Sequence, residues 1–223
     1  MGGFCIEVSG PFACFTRPEM KVERVSYDVM TPSAARAIFE AILWKPAIRW
    51  QVEKIEVLSP IRWINLRRNE VGSKVSVRNV KTAMKKGKGN LGLYVEDDRQ
   101  QRAGLFLRDV KYRIYADFEI LNRSDGNTPV KFAEMFRRRA TRGQCFNQPY
   151  LGCREFSARF RLVDPARESF QMPEDLKGER VLGWMLYDLD YSEPSNPMPR
   201  FFDARLVDGV LHAPDWNSDK VRG

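Results

Sequence analysis

The sequence predicts an α+β fold: a ferredoxin-like, RRM-type β-α-β-β-α-β domain (residues 1–163) with a basic hairpin insertion, followed by a small antiparallel β-sheet domain (residues 164–223). Two observations predict this fold. Two segments that begin with Thr-Pro carry apolar residues at helical spacing, and segments of alternating apolar residues lie before, between and after them. After residue 164 only strand-like segments follow, and Asp208-Gly209 is typical of a two-residue hairpin turn.

The first half of the larger domain contains a strand, a helix and one or two further strands. Apolar and polar residues alternate over residues 4–10, which predicts the first strand. Thr31 is a good N-cap, Pro32 suits the first helical position, and Pro46 ends the helix. Residues 48–63 then predict one or two strands with a bulge. The apolar stripe of the helix consists of Ala35, Ile38, Phe39 and Ile42.

The second half repeats this order. Residues 104–121 predict a long strand or a hairpin pair, and Thr128-Pro129 begins a helix over 128–142. A further strand is predicted at 151–163, and two more, at 182–191 and 200–212, belong to the smaller domain. The core stripe of this second helix consists of Phe132, Met135, Phe136 and Ala140.

The composition is that of a globular protein. Apolar residues make up 43% and charged residues 30% of the 223, which excludes a wholly disordered chain. No apolar run reaches the 18–20 residues or so that span a bilayer, and the first residues lack a signal-peptide pattern, so we expect a cytoplasmic protein without a membrane partner. The four cysteines are widely spaced and the only histidine is His212, so we expect no metal site and read the cysteines as small buried hydrophobes.

Positive charge is concentrated in two segments. The formal net charge is +8, yet residues 67–90 alone hold eight Lys/Arg and one Glu, and residues 131–143 hold five Lys/Arg and one Glu. Residues 164–203 are acidic, with nine Asp/Glu against four Lys/Arg. Either basic segment alone is typical of a solvated surface, but the two together indicate a polyanion-binding protein, with nucleic acid favoured over a membrane surface. We expect residues 67–90 to form an extended, mobile hairpin or loop.

Four segments resemble one family of CRISPR-associated proteins. They are FTRPEMKVERVSYDVMTPSAARAIFEAILWKPAIRW (15–50), RRNEV (67–71), FRRRATRGQCFNQPYLGCREF (136–156) and LGWMLYDLDY (182–191). The chain is similar in these segments to the type I-C repeat-processing endoribonucleases, subtype d (also called c) of the fifth Cas family. The resemblance covers most of the chain.

The resemblance implies a function and partners. Such proteins bind CRISPR repeat RNA, cut it at the 3′ base of its hairpin with the ribose 2′-OH as nucleophile, and need no metal or other cofactor for this step. They then stay on the 5′ handle of the mature guide RNA and join the backbone and large subunits of the type I-C interference complex. We expect a monomer when the protein is alone. Some members are also reported to cut DNA with a divalent metal.

The resemblance also implies catalytic positions. The family has a Tyr just before W-K-P, where this chain has Leu43, and a Lys-His pair where this chain has Lys131-Phe132. Lys131 is therefore the candidate catalytic residue, and it could supply positive charge or transfer a proton. We expect Leu43 to be an exposed apolar residue beside that position, Phe132 and Trp44 to be core residues, and His212 to be structural.

The candidate RNA-binding residues are basic residues in or near the resembling segments, and one tyrosine. Each has a plainer alternative: a solvated surface position for a basic residue and a core position for Tyr27, which could otherwise replace the missing hydroxyl. Arg137 and Arg139 cannot face the same way as Arg138, so we expect them to be solvated. The candidates are Arg17, Lys21, Arg24, Tyr27, Lys45, Arg67, Arg68, Lys74, Lys85, Lys86, Lys88, Arg138 and Arg142.

Two functions remain open, and a third is weaker. The chain is either a repeat-specific endoribonuclease or a handle-binding subunit that no longer cleaves, since the Tyr and the His are both replaced. A metal-dependent DNase is the weaker third alternative, because no compact group of Asp, Glu and His supports it. Asp97-Asp98 is better explained as a turn, and Asp188 with Asp190 as one face of a strand.

Overall fold

The computed structural model describes residues 3–123 and 126–223. The helices are α1 (Pro32–Ile42), α2 (Val77–Lys86) and α3 (Pro129–Thr141), with a 3-10 turn at Glu174–Leu176. The strands are β1 (Phe4–Ala13), β2 (Ile48–Val57), β3 (Arg62–Val71), β4 (Arg99–Ile120), β5 (Arg159–Val163), β6 (Glu179–Asp190), β7 (Met198–Val207), β8 (Val210–His212) and β9 (Val221–Arg222).

The described strands form one sheet in which every pairing is antiparallel. Its order is β5-β1-β4-β2-β8-β7-β6, with β3 paired to β4 and β9 to β7. The 22-residue strand β4 organises the sheet, because one half pairs with β3 and the other half with β1 and β2. Strand β8 pairs with β2 and so joins the C-terminal strands to the rest. The predicted domain boundary at 163/164 stays a prediction.

Helices α1 and α3 cover one face of this sheet through a cluster of aromatic rings. Phe39 of α1 stacks on Phe136 of α3 with ring centroids 5.3 Å apart, and both rings contact Trp50 of β2. Phe4 of β1 contacts Phe136 and Trp50 from below. The predicted α1 stripe is buried in full, and so are Phe132, Phe136 and Ala140 of the α3 stripe. Such interlocked rings fix the two helices on the sheet.

The other sheet face carries ion pairs instead of a free surface. Glu7 of β1 is buried and accepts from Arg161 at 2.8 Å, with the Lys111 ammonium 3.1 Å away. Arg113 donates to the carbonyl oxygens of Glu168 and Ser169, so the segment after β5 lies on this face. The segment after β5 therefore covers part of this face near β1.

Most predicted elements are present, and one strand is shorter than predicted. The bulge in β2 lies between Val52 and Lys54, and Asp208-Gly209 forms its turn with positive φ at both residues. Of the two alternatives for residues 104–121, the long strand is correct, since residues 104–120 belong to β4, which begins at Arg99. The predicted strand 151–163 is present only as Arg159–Val163, because residues 151–157 fold as a loop.

The basic segment 67–90 contains more regular structure than predicted. The hairpin is present, since β3 pairs with β4 from end to end, but its tip contains α2. Ser76 caps this helix by accepting from the Asn79 N–H, and Gly87 ends it. None of its residues is buried, although Val77, Val80 and Met84 recur at helical spacing.

No helix in the described part of the chain combines the length and the apolarity that crossing a membrane requires.

Candidate functional site

The positions that the resemblance implies to be catalytic lie near the end of the sheet at which β2 begins and β4 ends. Leu121, just after β4, donates its N–H to the Ala47 carbonyl at 2.8 Å, and Ile48 donates to the Lys45 carbonyl at 3.1 Å. The segment after α1 and the segment before α3 are therefore tied together here. Lys131 is in the first turn of α3, at the far end of the second segment.

Lys131 has the surroundings of an anion-binding group. Its side chain is exposed, and its ammonium donates to the Gly126 carbonyl at 2.8 Å and lies 5.6 Å from the Phe132 ring. Thr128 caps α3 and accepts from the Lys131 N–H at 3.3 Å. The first turn of a helix is also the positive end of its dipole, so the charge of Lys131 adds to it. A phosphate placed here would be stabilised by both.

Leu43 does not line this surface, so the expectation that it is exposed is wrong. Helix α1 ends at Ile42, and Leu43 adopts an extended backbone that buries its side chain completely. Its carbonyl accepts from the Trp50 indole N–H at 2.8 Å. A helix that continued to Pro46 would place Leu43 on its exposed side, but the chain leaves the helix three residues earlier.

Trp44 takes the surface position instead. Its side chain is 59% exposed, so the prediction that it belongs to the core is wrong. Lys45 follows it and is half-buried. An exposed indole beside a lysine can stack on a base, although it can donate only one hydrogen bond and cannot take up a proton.

Phe132 is a core residue, as predicted. It is 2% exposed, and its ring meets Phe118 edge-on at 6.2 Å. Phe118 in turn lies 5.3 Å from Trp50, which holds the Leu43 carbonyl. A chain of aromatic contacts thus connects the two altered positions, and neither of them presents a group that exchanges protons.

Helix α3 carries a positive stripe. Lys131 and Arg138 of α3 and Arg142, which directly follows the helix, are all exposed. The eleven steps from the first to the last correspond to about 16 Å along the helix axis. The neighbouring arginines have other roles. Arg139 donates to the Ile42 carbonyl at 2.8 Å, and the Arg137 guanidinium lies 5.3 Å from the Phe4 ring. Arg139 is thus a structural residue that the sequence did not reveal.

A second group of candidates is engaged in ion pairs. Arg24 and Arg68 both donate to the Glu155 carboxylate, at 3.0 and 2.6 Å. Arg68 holds the pKa of Glu155 below its ordinary value. Arg17 pairs with Asp28 at 3.3 Å and lies over the ring of Tyr27.

Tyr27 itself is a buried core residue. It is 1% exposed, and its hydroxyl accepts from the Leu186 N–H at 3.2 Å. Burial raises its pKa. Tyr27 is therefore a core residue, which was the alternative to RNA binding. Its buried hydroxyl cannot replace the family's Tyr on the surface.

The remaining candidates are exposed and lie mainly around the tip of the β3–β4 hairpin. Helix α2 presents its basic residues to solvent, since it packs none of them into the core. Lys21 is exposed in a turn between β1 and α1. The exposed residues at the hairpin are Arg67, Lys74, Lys85, Lys86 and Lys88.

The structure thus divides the candidates into two groups. The ion-paired group lies near the middle of β4, because the Arg24 carbonyl accepts from the Leu105 N–H. The α3 group lies near the end of β4 at Ile120, which is fifteen residues or about 50 Å of extended strand from Leu105. His212 belongs to neither group. It is exposed and pairs with Lys54, six residues or about 20 Å along β2 from Ile48.

The acidic residues considered for a metal site have other roles. Across residues 3–123 and 126–223, no three His, Cys, Asp or Glu side chains are grouped so that they could hold a metal ion. Asp98 lies in the turn before β4 and accepts from the Ser73 N–H at 2.7 Å. Asp188 accepts from Arg36 at 2.8 Å, and Asp190 lies 4.0 Å from Arg200.

Two relatives match nearly the whole chain. A protein of Mannheimia succiniciproducens named CRISPR pre-crRNA endoribonuclease Cas5d is 49% identical over 222 residues, which is 97% of each chain. A protein of the same name from Thermus thermophilus is 39% identical over 226 residues, covering 94% of this chain and 90% of its own.

Solved structures share the fold. A crystal structure of a CRISPR-associated protein superimposes with a TM-score of 0.70 at 23% identity, over 99% of this chain and 96% of the other. A functionally uncharacterized protein from Streptococcus mutans gives 0.66 at 20% identity, over 99% and 97%. A chain of a CRISPR RNA-guided surveillance complex gives 0.51 at 15% identity, over 94% and 87%. The model of the Cas_Cas5d family, described as CRISPR-associated protein (Cas_Cas5), matches residues 3–214, and the chain belongs to this family.

Proposed function

We propose that this chain is a metal-independent endoribonuclease that cuts CRISPR repeat RNA at the 3′ base of the repeat hairpin. Relatives that match it along nearly its whole length are named pre-crRNA endoribonucleases, which supports the activity. The site within the chain rests on one observation, the exposed stripe of Lys131, Arg138 and Arg142 along α3. This stripe begins at a helix N-terminus, where the helix dipole adds to the charge of Lys131.

The larger domain is proposed to be ferredoxin-like. The order β5-β1-β4-β2, with α1 after β1 and α3 after β4, supports this arrangement, in which β3 and α2 are an insertion. The RNA would then lie on α3 and on the adjoining end of the sheet, where β2 begins and β4 ends. It would not lie on the sheet face used by many RRM domains, because the segment after β5 covers part of that face.

Lys131 would act mainly through its charge. Attack by a ribose 2′-OH on the adjacent phosphate produces a phosphorane with added negative charge, and preorganised cations lower the barrier by binding that charge. The Lys131 ammonium is held by the Gly126 carbonyl at 2.8 Å and points out from the first turn. Holding the 2′-OH in line with the leaving 5′-oxygen would supply the rest of the acceleration.

The test is cleavage of the chain's own repeat RNA in excess EDTA under single-turnover conditions. We expect one cut 3′ of the stem, no cut when the scissile nucleotide is 2′-deoxy, and a rate about 10²–10³ lower for Lys131→Ala. Arg137→Ala is the matched control, because Arg137 is exposed on the same helix but lies over Phe4 and outside the stripe. A Lys131→Ala variant that folds, binds RNA and cuts at the wild-type rate would contradict the assignment.

A non-cleaving subunit is the second candidate, and the altered positions favour it. Leu43 and Phe132 are both buried, so the chain presents no proton-transferring group at either. In either case the chain would stay on the 5′ handle of the guide RNA and join the backbone and large subunits of a type I-C interference complex. Tight RNA binding without any cut in the same assay would establish it. We do not propose the DNase activity, for which the described residues offer no cluster of metal-ligating side chains.

A further inference from the structure

Two cysteine thiols that are distant in sequence meet where β1 ends. Cys14 directly follows β1, and Cys153 lies in the loop before β5, 139 residues later. The Thr16 hydroxyl is 3.4 Å from the Cys14 Sγ and 4.0 Å from the Cys153 Sγ, and the Cys153 thiol is 3.7 Å from the Cys14 carbonyl oxygen.

The loop that contains Cys153 packs closely against Cys14. Gly152 has a φ of +83°, and a Cβ at this position would stand 2.0 Å from the Cys14 carbonyl oxygen, so the contact requires glycine. The Cys14 N–H donates to the Leu151 carbonyl at 3.0 Å, and the Phe156 N–H donates to the Cys153 carbonyl at 2.9 Å. The neighbourhood of the two thiols is therefore a fixed feature of the fold.

The two thiols have different chemical environments. Cys14 is completely buried, whereas Cys153 is half-buried and accepts from the Arg24 guanidinium at 3.8 Å. The Cys14 thiol and the Arg24 charge lower the pKa of Cys153 below its ordinary value, against the opposing effects of burial and of Glu155. The same contact between the thiols, together with burial, raises the pKa of Cys14. Cys153 is thus the more accessible of the two thiols and the one that faces a cation, which favours its thiolate form.

We propose that Cys14 and Cys153 form a reversible disulfide when the protein meets a hydroperoxide. The Cys153 thiolate attacks one peroxide oxygen, the O–O bond breaks, and the leaving oxygen takes a proton from solvent, which leaves Cys153 as a sulfenic acid. The Cys14 sulfur then displaces hydroxide from the Cys153 sulfur, and the Cys14 proton leaves with it as water. Two thiols and one hydroperoxide give one disulfide, one alcohol (water for hydrogen peroxide) and one water.

The bond would form beside a cluster of cations. Arg24 contacts both Cys153 and Glu155, and Arg68 shares Glu155 with it. Oxidation removes the thiolate charge from Arg24 and ties the loop that carries Glu155 to the end of β1. Transient disulfides of this kind are typical of redox-responsive proteins in reducing compartments.

The test is titration of the full chain with one equivalent of hydrogen peroxide near pH 7, followed by alkylation and peptide mass mapping. We expect a mass loss of 2 Da from the disulfide, a linked peptide pair containing Cys14 and Cys153, and recovery of both thiols with dithiothreitol. Cys145 is the internal control, because it is half-buried like Cys153 but has no part in this cluster. Equal oxidation of Cys145, or sulfinic acid at Cys153 without a linked pair, would overturn the proposal.

Variants separate the two chemical steps. In Cys14→Ser the sulfenic acid of Cys153 should persist and react with dimedone, while Cys153→Ser should leave Cys14 reduced. Cys145→Ser should still form the linked pair at the wild-type rate. Failure to trap the sulfenic acid in a folded Cys14→Ser variant would contradict the order of attack, and the wild-type mapping decides the disulfide even if a variant does not fold.

Discussion

Arg138 and Arg139 are neighbours on α3, and we expect their alanine variants to differ: Arg139→Ala should lower the stability of the fold, and Arg138→Ala should weaken RNA binding. Arg139 is half-buried and donates to the Ile42 carbonyl at 2.8 Å, at the C-terminal end of α1. A hydrogen bond from a charged group contributes about 1.5–3 kcal/mol, and for a chain of this length 1 kcal/mol lowers the Tm by about 2–4 °C. Arg139→Ala should therefore lower the Tm by about 3–12 °C. Arg138 is exposed, so Arg138→Ala should change the free energy of unfolding by less than about 0.5 kcal/mol.

RNA binding should show the reverse pattern. If Arg138 contacts a phosphate, its loss lowers the slope of log K against log salt by about 0.7–0.9, whereas Arg139→Ala leaves the slope unchanged while the protein is folded. The assay is repeat-RNA binding at four salt concentrations, at a temperature well below both Tm values, with thermal unfolding measured in parallel. An unchanged salt slope for Arg138→Ala would refute the positive stripe, and an unchanged Tm for Arg139→Ala would refute the structural role of Arg139.

Three further predictions concern Trp44, Phe132 and Glu7. Trp44→Ala should weaken RNA binding by about tenfold with little change in Tm, because the indole is 59% exposed and a stacked base contributes about 1–3 kcal/mol; fluorescence titration measures it. Phe132→His should not raise the cleavage rate in a single-turnover assay, and should lower stability by about 2–4 kcal/mol, since position 132 is in the core. Burial opposes ionisation of Glu7, but hydrogen bonds from Arg161 and Lys111 prevail and hold its pKa below the ordinary 4.5. The stabilisation from Glu7 is therefore present above about pH 4.5 and is lost as the pH falls through the lowered pKa. Chemical denaturation should show that Glu7→Gln costs about 1–3 kcal/mol at pH 7 and flattens the fall in stability between pH 5 and 3.

The helices that pack on the sheet were predictable because two independent signals coincide in each. Thr31 and Thr128 cap their helices and are each followed by proline, and the stripes behind them are buried. Helix α2 has a Ser76 cap and a terminal Gly87, yet no buried face. Three apolar residues of α2, Val77, Val80 and Met84, do recur at helical spacing. The rest of the segment is polar or basic, and this composition favoured the interpretation as a hairpin or loop.

The site was only partly predictable, for two physical reasons. A helix that ends three residues early exchanges the environments of Leu43 and Trp44, and sequence patterns place helix ends only to within a few residues. The pairing of Arg24 and Arg68 with Glu155 joins segments far apart in the chain. No local sequence pattern encodes such contacts. The sequence therefore could not distinguish basic residues that pair with a carboxylate from basic residues that are open to solvent.

This distinction between paired and exposed cations bears on how the RNA lies. Arg24 and Arg68 already share Glu155, so a phosphate must compete with that carboxylate, whereas Lys131 and Arg138 are open to solvent. Along β4 the two groups are separated by up to about 50 Å. One bound RNA that reaches both groups must therefore extend along the length of the molecule. Since exposed cations gain most from phosphate, the α3 stripe should supply the first contacts, and the hairpin with α2 should add contacts only to an RNA long enough to reach it.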